Sequence, residues 1–144
     1  MRRRIQGLHE ADPSRAIEIP DSLYLVRVER AQYRYQKKPH YLLHMAVIEP
    51  AYFAGRSITG CLYCTPKALW KLNWFLRDFG YDTELIGRDE VDEKSLLGLR
   101  GIIKISHAVV NGTSVLNLDG FAPAAQWEIL SSSSASTQPL EARS

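Results

Sequence analysis

The sequence predicts a mostly β fold: a small five-stranded barrel with one main helix between its third and fourth strands. Three observations carry this expectation. Residues 22–64 hold three successive β-rich runs separated by turn residues. Thr65-Pro66 then opens a segment whose apolar residues recur at helical spacing and which stops at Gly80. Asn111-Gly112, the strongest short hairpin signal in the chain, joins two further β-rich runs.

In order, Ser22–Tyr35 alternates Tyr24, Val26 and Val28 against Leu25, Arg27 and Glu29, the pattern of a long strand with one polar edge. Lys37-Lys38-Pro39 makes the turn into a second strand, His40–Glu49, with Tyr41, Leu43, Met45 and Val47 on one face. Pro50 and Gly55 bracket a short connection, and Arg56–Cys64 forms the third strand. Connections this short allow only antiparallel pairing. In the helix, Leu69, Leu72, Leu76 and Phe79 form the stripe and Trp70, Trp74 and Phe75 widen it, so all three rings are expected to pack into the barrel bottom. Gly80 suits the residue just past a helix end. A second short helix is expected from Asp89 to Leu97, because Asp89 and Glu90 suit a helix N-terminus. Arg100–Val110 and Thr113–Phe121 complete the strands. Three strands, a helix and two strands is the element order of an OB-like Greek-key barrel, whose strand faces and loops bind oligonucleotides.

The 144 residues fit one domain, expected over residues 21–127. Residues 1–20 begin Arg2-Arg3-Arg4 and read as a flexible basic arm; the serine-rich run from 128 to 144 reads as a disordered tail. Two cysteines exclude a disulfide-rich secreted scaffold. No apolar stretch follows the arginines, so no signal peptide is expected, and no run has the length of a membrane helix. The expected setting is cytoplasmic, with no membrane partner. A net charge of +2 does not by itself argue for nucleic acid, but the charge is uneven. Arg27, Arg30, Arg34, Lys37 and Lys38 face only Glu29 in their segment, whereas Asp82, Glu84, Asp89, Glu90 and Asp92 gather in another.

The run from Arg30 to Tyr41 interleaves rings with cations at the first β-turn. A cation neutralises a phosphate and a neighbouring ring stacks on an unpaired base. Tyr33 and Tyr35 share one strand face, so two rings can receive neighbouring bases. Arg56 beside Gly55 is a further phosphate candidate, since glycine lets a backbone approach a ligand closely. Other constellations read as structural. Cys61 and Cys64 have half-zinc spacing, but a regular strand points them to opposite faces. His40 and His44 share a face but lack an orienting acid and a nucleophile. No catalytic residue, metal site or cofactor is expected.

Tyr24 to Tyr35 with its basic turn, Tyr41 to Val47, Phe53-Ala-Gly55-Arg56, Thr65-Pro66 to Gly80, and Gly101 to Asn117 together resemble the short phage-encoded OB-fold single-stranded DNA-binding proteins of replication and recombination. The resemblance covers residues 20–122 and implies sequence-independent binding of single-stranded DNA, in a bacterial host cytoplasm if the chain is phage-encoded. At matching positions the implied contacts are Tyr33, Tyr35, Lys37, Lys38, Tyr41, Arg56 and Tyr63. Arg34 joins them as a phosphate contact, with His107 and Asn111 as secondary candidates in the last hairpin. The chain departs from that pattern in its small net charge and in lacking a clearly acidic C-terminal peptide. Expected partners are therefore single-stranded DNA, replication or recombination proteins, and a second copy through exposed strand edges. Two other readings stay open. One is a protein-interaction module acting through Asp82 to Glu93. The other is a metal-dependent nuclease subunit using the carboxylates Asp89, Glu90, Asp92 and Glu93.

Overall fold

Five antiparallel strands form one sheet in a computed structural model that describes residues 2–6 and 19–132. They are β1 (Leu23–Gln36), β2 (Lys38–Glu49), β3 (Ser57–Tyr63), β4 (Arg100–Val110) and β5 (Thr113–Pro123). Their order across the sheet is β3-β2-β1-β4-β5. Each pairing joins strands linked by a turn, except β1 with β4, which spans the helical insert. The insert holds α1 (Leu69–Asp78), α2 (Thr83–Gly87) and α3 (Glu93–Leu96).

The sheet is not closed: β3 and β5 form its two free edges. Instead of a ladder, side chains cross this seam. A Cβ added at Gly60 of β3 would stand 2.7 Å from a Leu118 methyl of β5. The mostly β architecture with a helix between β3 and β4 stands as expected; the hydrogen-bonded closure of a barrel is not present.

Period-2 alternation decides the core. Tyr24, Val26 and Val28 of β1, and Tyr41, Leu43, Met45 and Val47 of β2, are buried, as are Ile58 and Leu62 of β3. Helix α1 closes the bottom with Leu72, Phe75 and Leu76, followed by Phe79. Phe75, Phe79 and Phe121 pack with ring centroids 4.5–6.2 Å apart. Gly101 of β4 is where this wedge meets the sheet, since an added Cβ would lie 2.5 Å from the Phe79 ring.

Both expected turn glycines take their roles. Gly80 has φ +83 and follows α1 in a Schellman arrangement, with Tyr81 N–H donating to Leu76 O and Gly80 N–H to Arg77 O. Asn111 (φ 52) and Gly112 (φ 79) both have the positive φ of a type I′ hairpin.

Several local expectations need correction. Helix α1 spans Leu69–Asp78, and residues 66–68 form the turn that leads into it, with the N–H groups of Ala68 and Leu69 both donating to Thr65 O. Trp70 lies outside the core and is 61% exposed. The helix expected over 89–97 is present but shorter, as α3, and α2 before it is unexpected. Asp82 and Asp92 cap them, their carboxylates accepting from Glu84 and Lys94 N–H at 2.9 and 3.1 Å. Asp89 itself has φ 58, left-handed backbone that no helix continues through.

At the N-terminal side the chain joins the domain at Ile19, which is buried, and Pro20 O accepts the Tyr24 hydroxyl at 2.6 Å. Most of the expected basic arm, residues 7–18, lies outside the described residues, and Arg2, Arg3 and Arg4 are exposed. Residues 127–132 are helical, and Trp127 Nε1 donates to Glu49 at 3.2 Å. The rest of the expected serine-rich tail lies outside the described residues. Among the described residues no helix is long and apolar enough to cross a membrane.

Replacing Gly101 with Ala is expected to destabilise the fold by about 1–3 kcal/mol, because the Phe79 ring is trapped in the wedge and cannot give way. Chemical denaturation reads the loss, and a Gly101→Ala protein as stable as wild type refutes the close packing.

Candidate nucleic-acid interface

Cross-strand register sorts the β1–β2–β3 side chains into two faces, because directly paired residues point the same way. On the inner face Tyr33 pairs with Tyr41, which pairs with Leu62, and Tyr35 pairs with Pro39. On the outer face three rows cross all three strands. These are Arg30–His44–Thr59, Gln32–Leu42–Cys61 and Arg34–His40–Tyr63, and Gln36–Lys38 follows at the hairpin end. None of these rows contains a carboxylate. A register shift between Val28 and Arg30 sets this arrangement, since it puts Arg30 rather than Glu29 opposite His44.

Local bonds hold the outer side chains in place. Arg34 donates to Gln32 Oε1 at 3.0 Å. His44 Nδ1 lies 3.2 Å from Thr59 Oγ1. His40 Nδ1 is 3.0 Å from Lys38 O, and its ring lies 5.5 Å from that of Tyr63, which is 44% exposed. Lys37 occupies the hairpin tip with φ 62 and is exposed.

The residues expected to form one site are therefore divided. Arg34, Lys38 and Tyr63 are brought together on the outer face. Tyr33 and Tyr35 are 46% and 73% exposed, but they stand on the opposite face of the same ribbon. Tyr41 is not an open stacking ring: it is 9% exposed, faces the core, and meets the Tyr33 ring edge-on at 5.2 Å. Arg56 is remote. Val47 N–H donates to its carbonyl, which puts it nine residues along β2 from Lys38, or about 30 Å at strand rise. Asn111 tips the β4–β5 hairpin. That hairpin leaves β4 beyond the N-terminal end of β1, whereas Lys37 lies at the other end of β1. His107 Nδ1 sits 2.6 Å from Asp21 Oδ1 and is engaged there.

The two cysteines diverge as strand geometry requires. Cys61 lies on the outer face, and Cys64 packs against the core. Burial pushes both thiols up, and the Arg34 charge offsets this only partly at Cys61. Among the described residues no group of three His, Cys, Asp or Glu side chains is placed to hold a metal ion.

Three residues of α1 and the turn before it escaped sequence reasoning. Lys67, Trp70 and Lys71 border a cleft of about 390 Å³ along the open seam, facing Leu42, Cys61 and Tyr63 on one side and Leu116 and Asn117 on the other. Helical spacing does not single out Trp70, because Trp74 lies equally far around the helix from Leu72 and yet packs against Phe121. No protein-family model matches the chain, and no curated protein matches it.

Tyr41 and Tyr24 give the core a pH signature. Burial raises both phenols to about 12, with nearby Cys64 and Glu93 adding at Tyr41 and Asp21 adding at Tyr24. The folded state thus holds these protons more tightly than the unfolded chain, where phenols titrate at about 10. Their contribution to stability is complete below pH 10 and is lost as pH rises from 10 to about 12. Denaturation midpoints should fall across that window. Tyr41→Phe should soften the fall, and an equally steep fall in this variant would contradict the placement of Tyr41.

Proposed function

We propose that the protein binds single-stranded DNA without sequence preference, using the outer face of β1–β2–β3. The observation that carries this reading is the carboxylate-free set of rows bearing Arg30, Arg34, Lys38, His40 and His44, with Tyr63 open at its end. Cations spaced along a strand face neutralise successive phosphates, and an exposed ring stacks on a base without reading its identity. The strand order, with a helical insert between β3 and β4, supports an OB-like assignment, a fold whose second and third strands form the oligonucleotide face. Tyr35 and Lys37 stand at the hairpin end beyond the β3 pairing, with Tyr33 beside them on the inner face, so a strand leaving the outer face meets rings on both sides of the hairpin. The mechanism is binding alone, and no catalysis or cofactor is assigned. The proposed setting is replication or recombination in the cytoplasm, that of a bacterial host if the chain is phage-encoded.

A second reading, a protein-interaction module, is favoured by a separate groove. Leu69, Leu72, Leu76, Ile86 and Val91 line about 430 Å³ beside α1, together with Asp89 and Glu90. That composition fits a basic, aliphatic peptide.

Titrating labelled oligo-dT at about 50 and about 200 mM salt is expected to show affinity falling steeply as counterions are released. Changing Arg30, Arg34 and Lys38 together to Ala should flatten the log–log salt slope by about 2, at about 0.7 per phosphate contact. Duplex DNA should compete poorly. Absence of binding at micromolar protein and low salt would eliminate the proposal. A nuclease-resistant pull-down without oligonucleotide binding would favour the groove instead.

A further inference from the structure

We infer that the seam between β3 and β5 is a pocket for a single unstacked nucleobase, with Trp70 as its stacking platform. This rests on the single-strand reading and adds to it a defined anchor away from the flat sheet face.

The seam exists because the edge strands do not pair. Leu118 crosses it against Gly60, and Lys71 Nζ donates to Leu118 O at 2.8 Å, tying α1 to β5. Outside this tie the cleft remains open at about 390 Å³, within the range of small-molecule sites. Its chemistry matches a base and its phosphate. Tyr63 and Trp70 supply ring surface from β3 and α1, while Leu42 and Leu116 supply apolar lining. Thr59 and Asn117 supply hydroxyl and amide groups for a base edge. Lys67 and Lys71 place two positive charges where the adjoining phosphates would lie.

Trp70 is built as a platform rather than as packing. It is 61% exposed, and one side is braced by Trp74, with centroids 6.1 Å apart and planes within 25°. Trp74 is itself fixed by its bond to Asp78 at 2.8 Å and by the Phe121 ring at 5.5 Å. The Lys71 ammonium stands 5.8 Å from the Trp70 centroid, so the ring is already oriented beside a cation. The cleft also adjoins the outer face directly, because Leu42 and Cys61 form the middle row between Arg30 and Arg34. A strand crossing the cationic rows can thus turn one base into the seam. A duplex cannot do so without losing a base pair.

The test uses the full-length protein with oligo-dT, comparing wild type with Trp70→Ala and Trp70→Phe. The first variant should weaken binding about 5- to 150-fold, the cost of one lost stacking platform. The second should bind within a few-fold of wild type, since phenylalanine still stacks. Tryptophan emission should be quenched on binding in wild type, and that quench should be largely absent in Trp70→Phe despite retained binding. Thermal melts confirm that the exposed substitution leaves the fold intact. Unchanged affinity in Trp70→Ala, or an undiminished quench in Trp70→Phe, overturns the pocket. If the pocket fails while Arg30, Arg34 and Lys38 variants still weaken binding, the sheet-face reading survives alone. If no variant and no wild type binds oligo-dT, both fall together.

Discussion

The register of β2 is the constraint on which the rest of the structure depends. β2 is paired on both sides along most of its length, and its side chains alternate strictly between core and outer face. Tyr41, Leu43, Met45 and Val47 fill the interior because His40, Leu42 and His44 do not. A slip of one residue would exchange the two sets. It would turn His40 and His44 into the core and leave Tyr41, Leu43, Met45 and Val47 outside, and burying a polar ring without a partner costs more than the strand gains. Filling the core and setting Lys38, His40 and His44 beside the β1 arginines on the outer face are therefore one event, not two adaptations.

A second constraint comes from the rings beneath the sheet. Phe75, Phe79, Phe121 and Trp74 are too bulky to sit under a uniformly side-chained sheet. Gly101 and Gly120 remove the Cβ atoms that would strike Phe79 and Trp74. The result is a curled sheet whose two ends approach without bonding. The seam is the space left by that compromise, and α1, which supplies the wedge, also supplies the seam's lysine and exposed tryptophan.

Much of this fold was legible because its strands alternate and its turns use the residues their geometry demands. The Asn111-Gly112 hairpin and the Gly80 helix end follow from positive φ alone. The insert was less legible. The acids at 89 and 90 look like a helix start, but Asp92 supplies the cap and Asp89 ends the turn before it. Closure of the barrel is a matter of relative strand tilt, which a linear pattern does not encode. For the site, alternation correctly placed Tyr33 with Tyr35, yet pooling the whole Arg30–Tyr41 run merged two opposite faces. The cross-strand row Arg34–His40–Tyr63 joins residues far apart in sequence and needs the register to be known. Trp70 and Trp74 share one offset from the apolar stripe, and only the position of Phe121 decides that Trp74 packs while Trp70 stays open.

The hairpin beyond Arg30 has a further consequence. From there to Gln36, β1 pairs only with β2 among the described residues, so its other edge offers backbone groups to any passing strand. Such edges invite fibrillar stacking unless something keeps them apart. Here Arg30, Arg34, Lys37 and Lys38 do so by like-charge repulsion between molecules. That repulsion reaches about 10 Å in 0.1 M salt. The cations proposed to meet phosphates on this ribbon thus have a second consequence, keeping its free edge from pairing with that of another copy.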